Sequence, residues 1–308
     1  MGAPLTFGLG VNANETLHSI IEKSMAAEAL GLKYLWVADS PVQFYGPVVA
    51  SAVASRTPKI RIGLGLMSVL LHTPCQIANT VTTLSGAYGD RFDLCIGVGD
   101  QRQLSRIGVH EERLENLPLK VLEARRKIAS HLHKASVRAK IWLGAQGPKM
   151  LATGKDFDGV LLNYSKPKMI DWAITESGLR RKRGLRIGTY SPSYVHLKPQ
   201  PDILQLAKVS SAVVAVGATS AVLRRFGLYE KLRKARKMSE ASPTLEAILA
   251  EVPDDVVEDF SITMKATNLP SYLAELRKLG VSHVVFGYPQ NYSVATVKEL
   301  GEALSLAS

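Results

Sequence analysis

Along this chain, short apolar runs alternate with stretches whose apolar residues recur three and four positions apart. LTFGLGV reads as a first strand, and LHSIIEKSMAAEALG after it has helical spacing and ends at Gly31, a residue suited to a helix C-terminus. LKYLWVAD is a second strand, followed by a helix around Tyr45 to Arg56; KIRIGLGLM is a third, followed by a helix from Pro74 to Ser85. RFDLCIGVGD precedes a long helix from Leu117 to His133, and KIWLGAQG precedes a helix opening at Gly147-Pro148. FDGVLLN leads to a helix from Pro167 to Lys182, and LRIGTYSPSYV leads to an interrupted helical region from Pro201 to about Thr267. LPSYLAELRKLG is a further helix, VSHVVFGYP an eighth strand, and Val294 to Leu304 the last helix.

Eight strands alternating with helices predict a closed (β/α)8 TIM barrel, one domain over residues 1–308. A doubly wound sheet is the alternative, though it usually has fewer strands. In a barrel the residues after each strand gather at one mouth. Here they are small or polar: Val11-Asn12, Asp39-Ser40, Met67-Ser68, Gly99-Asp100, Gly144-Ala145-Gln146-Gly147, Asn163, Ser191 and Gly287-Tyr288-Pro289. Glycine lets a ligand approach the backbone closely. A helix opening near Pro148 would turn free amides towards a phosphate. Any one of these glycines has a purely structural reading of equal weight.

Composition narrows the picture. An apolar fraction of 46% supports a large core, and 21% charged residues argue against disorder. No apolar run is long enough to span a bilayer, so no membrane partner is expected. The start lacks the regions of a signal peptide, and a cytoplasmic protein is the default. Gly2 and Thr6 fit a loose myristoylation pattern, but the segment reads better as the first strand. Cys75 and Cys95 are too few for a disulfide scaffold or a cysteine metal site, and the seven histidines show no metal spacing.

The net charge of +11 is concentrated in RRKRGLR and RRFGLYEKLRKARK. These runs suit helix surface, steering of an anionic cofactor, or nucleic-acid binding. No zinc-finger spacing or aromatic-rich nucleic-acid module accompanies them, and nucleic acid is the less favoured partner. The dinucleotide GxGxxG, the phosphate loop GxxxxGK and HExxH are all absent. With no triad pattern either, the strand ends suit a bound cofactor that carries the chemistry.

FGLGVNANE, GLKYLWVADS, KIRIGLGLMSVLLHTP, RFDLCIGVGD, IWLGAQGPKM, FDGVLLNYSKP and VSHVVFGYPQN together resemble the luciferase-like flavin and deazaflavin barrels, in that family's order and over nearly the whole chain. The resemblance is greatest to its methylenetetrahydromethanopterin reductase group. It implies a homodimer or larger homo-oligomer that binds coenzyme F420, an 8-hydroxy-5-deazaflavin, and transfers hydride to a pterin. It implies that Asp39 acts near the ring or the pterin. Gly65 and Leu66 match a non-proline cis peptide behind the ring. Gly144, Ala145, Gln146, Gly147 and Asn163 would line the phosphate and ribityl region, with Gly287 and Pro289 on the other side, and Gly99 is a further cofactor-binding candidate. Arg61, Lys149, Lys166 and Lys168 are candidates for the anionic groups. Phe7, Trp36 and Phe92 are expected in the core. Two positions depart from the group: Gly10 stands where a glutamate is usual, and Ser40 where a histidine follows the aspartate. A different substrate, an FMN-dependent monooxygenase or reductase, and a noncatalytic nucleic-acid-binding barrel remain the alternatives.

Overall fold

A computed structural model describes residues 4–12, 15–41, 43–109, 116–240 and 245–307. Gly2 of the myristoylation pattern lies outside them, as does part of the helical region expected between Pro201 and Thr267. Eight strands carry the barrel: β1 (Thr6–Val11), β2 (Tyr34–Val37), β3 (Arg61–Ser68), β4 (Phe92–Gly97), β5 (Ile141–Ala145), β6 (Gly159–Leu162), β7 (Arg186–His196) and β9 (Val281–Gly287). All pairings are parallel; β6 joins β7, β7 joins β9, and β9 returns to β1, which closes the ring. The barrel is thus the one the hydrophobic pattern predicts.

The helices form where the sequence supplies both an apolar stripe and a start signal. Thr73 and Gln76 make a reciprocal capping box at Pro74–Tyr88, and Ser293 and Thr296 make another at Val294–Leu306. Helix Leu17–Ala29 ends before Gly31, whose φ of 79° lies in the left-handed region that favours glycine.

Two stretches differ from the expectation. The region after Pro201 is interrupted helix as expected, in Pro201–Gly217, Ser220–Arg225, Tyr229–Glu240, Leu245–Leu249 and Asp254–Glu258, but it also holds an unexpected ninth strand, β8 (Ile262–Lys265). That strand pairs with the outer half of β7, Ser193 to His196, beyond the barrel wall. Four residues are too few to display a strand period. The helix at Pro167 ends at Glu176, because Gly178 turns left-handed with φ 70° and one 3-10 turn follows.

Two apolar regions hold the barrel, beside a small third cluster of Tyr194, Ile203 and Ala207. The larger lies between the strands and the surrounding helices and includes Phe92, with Phe7 packed against it. The smaller fills the lumen with Tyr34, Trp36, Cys95, Trp142, Leu161 and Val285, and Tyr190 packs on it. Trp36 and Trp142 meet edge to face at 5.8 Å. They fit because glycines face them: a Cβ on Gly63 would stand 2.5 Å from Trp36 Cδ2, and one on Gly159 2.6 Å from Trp142 Cζ3.

Polar groups seal the lumen at the N-terminal ends of the strands. Arg61 pairs with buried Asp93 at 2.6 Å, and the Tyr34 hydroxyl donates to the same carboxylate at 3.0 Å. Arg61 therefore belongs to the end opposite the mouth and is withdrawn as a phosphate ligand. Beside this layer His283 accepts from Trp36 Nε1 at 2.9 Å. Complete burial and the nearby Arg186 guanidinium push its pKa down to about 3, so it is a neutral core imidazole.

Candidate active site

At the mouth, β3 and β4 change register between Leu64 and Met67, and the Gly65-Leu66 peptide is cis, as the resemblance implies. The bulge sends Leu66 over two bare backbones. A Cβ on Gly144 would stand 2.5 Å from Leu66 Cδ1, and one on Gly97 2.7 Å from the same atom. Gly65 sits beneath, where a Cβ would stand 2.6 Å from Cys95 Cβ. Burial pushes the Cys95 thiol far above its ordinary range, so it serves as packing and not as a nucleophile.

In front of Leu66 lies a cleft of about 180 Å³ lined by Asp39, Ser40, Ser68, Gly99, Asp100 and Gln103, among others. Ser68 donates to the Val98 carbonyl, and Ser40 donates to Gln103 Oε1 at 2.9 Å. These contacts tie together the loops after β2, β3 and β4. An apolar floor with polar walls fits a flat ring whose heteroatoms lie at its edge.

Asp39 does not stand alone. His72, from the loop after β3, places Nε2 2.7 Å from Asp39 Oδ2, and Asp39 Oδ1 accepts from the Gly46 amide at 3.1 Å. The two side chains are only 5% and 15% exposed, so the pair is largely shielded from water. Nothing in the sequence spacing signals it, because the partners are 33 positions apart. An imidazole thus reaches Asp39 from the neighbouring loop.

The remaining candidates divide. Asp39, Leu66 and Gly99 line the cleft together, and Gly65 and Gly144 support its floor. Ala145 ends β5, Gln146 and Gly147 follow it, all three half-buried, and the Tyr164 hydroxyl donates to the Gln146 carbonyl at 2.7 Å. The helix expected at Pro148 is a single turn, Pro148–Leu151, too short to form an anion site by itself. Asn163 is half-exposed after β6. Gly287 is needed for packing, since a Cβ there would stand 2.7 Å from the Ser191 carbonyl oxygen. Pro289 is buried after a cis Tyr288-Pro289 bond and anchors a turn through its carbonyl to Tyr292 N.

Several cations have internal uses. Lys166 pairs with Asp259 at 3.5 Å, and Lys168 lies over the Phe226 ring. Within the basic runs, Arg180 pairs with Asp171, Lys231 with Asp255, and Lys234 with Glu251. Among the described residues no cluster of ligands could hold a metal ion, and no helix is long and apolar enough to cross a membrane. A larger groove, about 660 Å³, lies away from the strand ends between helices Gly46–Ala54 and Pro74–Tyr88.

Comparison with known proteins agrees with this geometry. The profile described as "Luciferase-like monooxygenase" matches residues 3–283. A 5,10-methylenetetrahydromethanopterin reductase of Archaeoglobus fulgidus is 27% identical over 295 residues, covering 85% of this chain and 87% of that protein. The structure of a coenzyme F420 dependent tetrahydromethanopterin reductase from Methanopyrus kandleri superposes with a TM-score of 0.85 at 21% identity, covering 99% of this chain and 100% of that one. An F420-dependent secondary alcohol dehydrogenase in complex with an F420-acetone adduct gives 0.75 at 13% identity, covering 99% of both chains.

Proposed function

The chain belongs to the luciferase-like family, and from that premise we propose that it is a deazaflavin-dependent oxidoreductase acting on methylenetetrahydromethanopterin or a related pterin. The observation that carries this reading is the Leu66 bulge over Gly97 and Gly144, facing a cleft whose polar groups lie at the rim. The similarity to the Archaeoglobus fulgidus reductase, over 85% of this chain, supports the choice of cofactor and substrate.

When bound, the deazaflavin supplies a hydride. The chain's own residues supply position. Leu66 would back the ring, and Gly97 and Gly144 let that side chain sit flush with the floor. Gly99, at φ 95°, turns the chain after β4 so that Asp100 and Gln103 reach the rim. Asp39 is the proposed catalytic residue. Held by His72 and the Gly46 amide, it fixes an ionisable pair at the edge of the cleft, where the pterin's polar atoms are received. Ala145, Gln146, Gly147 and Asn163 are assigned to the cofactor's phosphate-bearing side chain, and the unpaired part of the basic surface to attracting its negative charge. Gly287 and Pro289 shape the opposite wall.

The same reading includes a homo-oligomer. Phe44, Tyr45 and Val48 are exposed beside the outer groove, an apolar face suited to a second copy.

Anaerobic turnover tests the reaction. Reduced deazaflavin mixed with protein and methylenetetrahydromethanopterin should be oxidised in proportion to product, with no need for oxygen. Oxygen-dependent turnover with reduced FMN, and none with deazaflavin, would place the protein with the monooxygenases instead.

A further inference from the structure

The reading above leaves Tyr190 without a task. It projects from β7 into the lumen and packs on the interior cluster. It leans past the end of β9 towards β1: a Cβ on Gly287 would stand 3.1 Å from Tyr190 Cε2, and a Cβ on Gly10 2.6 Å from Cζ and nearer still to the hydroxyl oxygen. Gly10 therefore leaves room for the ring edge and the oxygen together. No hydrogen bond among the described residues engages that hydroxyl. Tyr190 is only half-buried, so this hydroxyl is open to the acceptor atom of a ligand. Burial and the neighbouring Cys95 raise the phenol's pKa well above its ordinary value, which keeps it a neutral donor at physiological pH.

Its position in the ring of strands gives the direction. β7 is four strands from β3 whichever way the eight-stranded ring is followed. Tyr190 and the Leu66 bulge therefore stand on opposite walls of the barrel. A ring held against Leu66 would turn its free face towards Tyr190.

We propose that the Tyr190 hydroxyl is the hydrogen-bond donor that positions the hydride acceptor against the free face of the cofactor. This rests on the deazaflavin reading and adds the group that selects the second reactant. The ligand it suits carries a carbonyl oxygen or an unprotonated ring nitrogen near the atom that receives hydride, as a reduced pterin does. Gly10 is the partner position, because only a residue without a side chain leaves the phenol in place.

The test is calorimetric titration of wild type and Tyr190→Phe, first with oxidised deazaflavin and then, on the loaded protein, with tetrahydromethanopterin. Deazaflavin affinity is expected to agree within about twofold, while the pterin binds Tyr190→Phe about five- to tenfold more weakly, the loss of one neutral hydrogen bond. Gly10→Ala, whose Cβ displaces the phenol, should show the same selective loss. In turnover, Tyr190→Phe should raise KM by a similar factor with kcat changed less than about threefold. Equal pterin affinity in wild type and Tyr190→Phe overturns the proposal. So does a loss of deazaflavin affinity in its place, which would assign the hydroxyl to the cofactor. Wild type that takes up deazaflavin but no pterin removes the pterin as acceptor; wild type that takes up no deazaflavin removes the functional reading itself.

Discussion

Asp39 shows what a single residue can be asked to do at this mouth. Its carboxylate accepts from the Gly46 amide and pairs with His72, so it both fastens a helix start and orients an imidazole. Asp39→Asn keeps the shape but removes the charge. Losing a hydrogen bond to a charged group costs about 1.5–3 kcal/mol, so urea unfolding should register a drop of that order. His72→Asn should cost a similar amount, and the double variant clearly less than the sum, because the two changes break one interaction. If the costs simply add, the pair is not a functional unit. The aspartate was legible from its place after the second strand. His72 was not, because its meeting with Asp39 depends on how two loops fold over the barrel end. Tyr190 was half legible: alternation along β7 puts Arg186, Gly188 and Tyr190 on one face, but not what lies across the lumen.

At the level of elements, strand glycines are the clearest case of sequence read correctly as pattern and incompletely as cause. The recurring glycines mark strand ends, and several mark the mouth. Gly63 and Gly159 serve another purpose, since they make room for Trp36 and Trp142 in the lumen. Gly63→Ala is expected to destabilise by about 1–3 kcal/mol through overpacking. Gly86→Ala, exposed in helix Pro74–Tyr88 with open space around it, should stabilise by about 0.5–1 kcal/mol. Thermal unfolding of the two variants should move in opposite directions; a shared direction would mean that the lumen tolerates an added methyl. The eight barrel strands were visible because each is a compact apolar run. β8 was not, because a four-residue element carries no period and its pairing is set by β7.

At the scale of the molecule, burial ties stability to pH. His283 is neutral in the folded state down to about pH 3, whereas in the unfolded chain it protonates near 6.5. Between those values the unfolded state binds the extra proton. The contribution of His283 is therefore complete above about pH 6.5 and is lost as pH falls towards 3, by at most about 1.4 kcal/mol per pH unit. Nitrogen NMR at pH 5 should find this imidazole still neutral, and a protonated ring there would contradict the buried placement. Association belongs to the same scale. Val48→Glu on the outer apolar face should shift sedimentation of the protein towards monomer, with no change in cofactor binding.

The central claim is that the strand ends hold a deazaflavin. Its most direct measurement is a fluorescence titration of the purified protein with oxidised coenzyme F420 and, separately, with FMN. The account predicts saturable binding of one deazaflavin per chain and weak or no binding of FMN. Tight FMN binding with no response to the deazaflavin would contradict it.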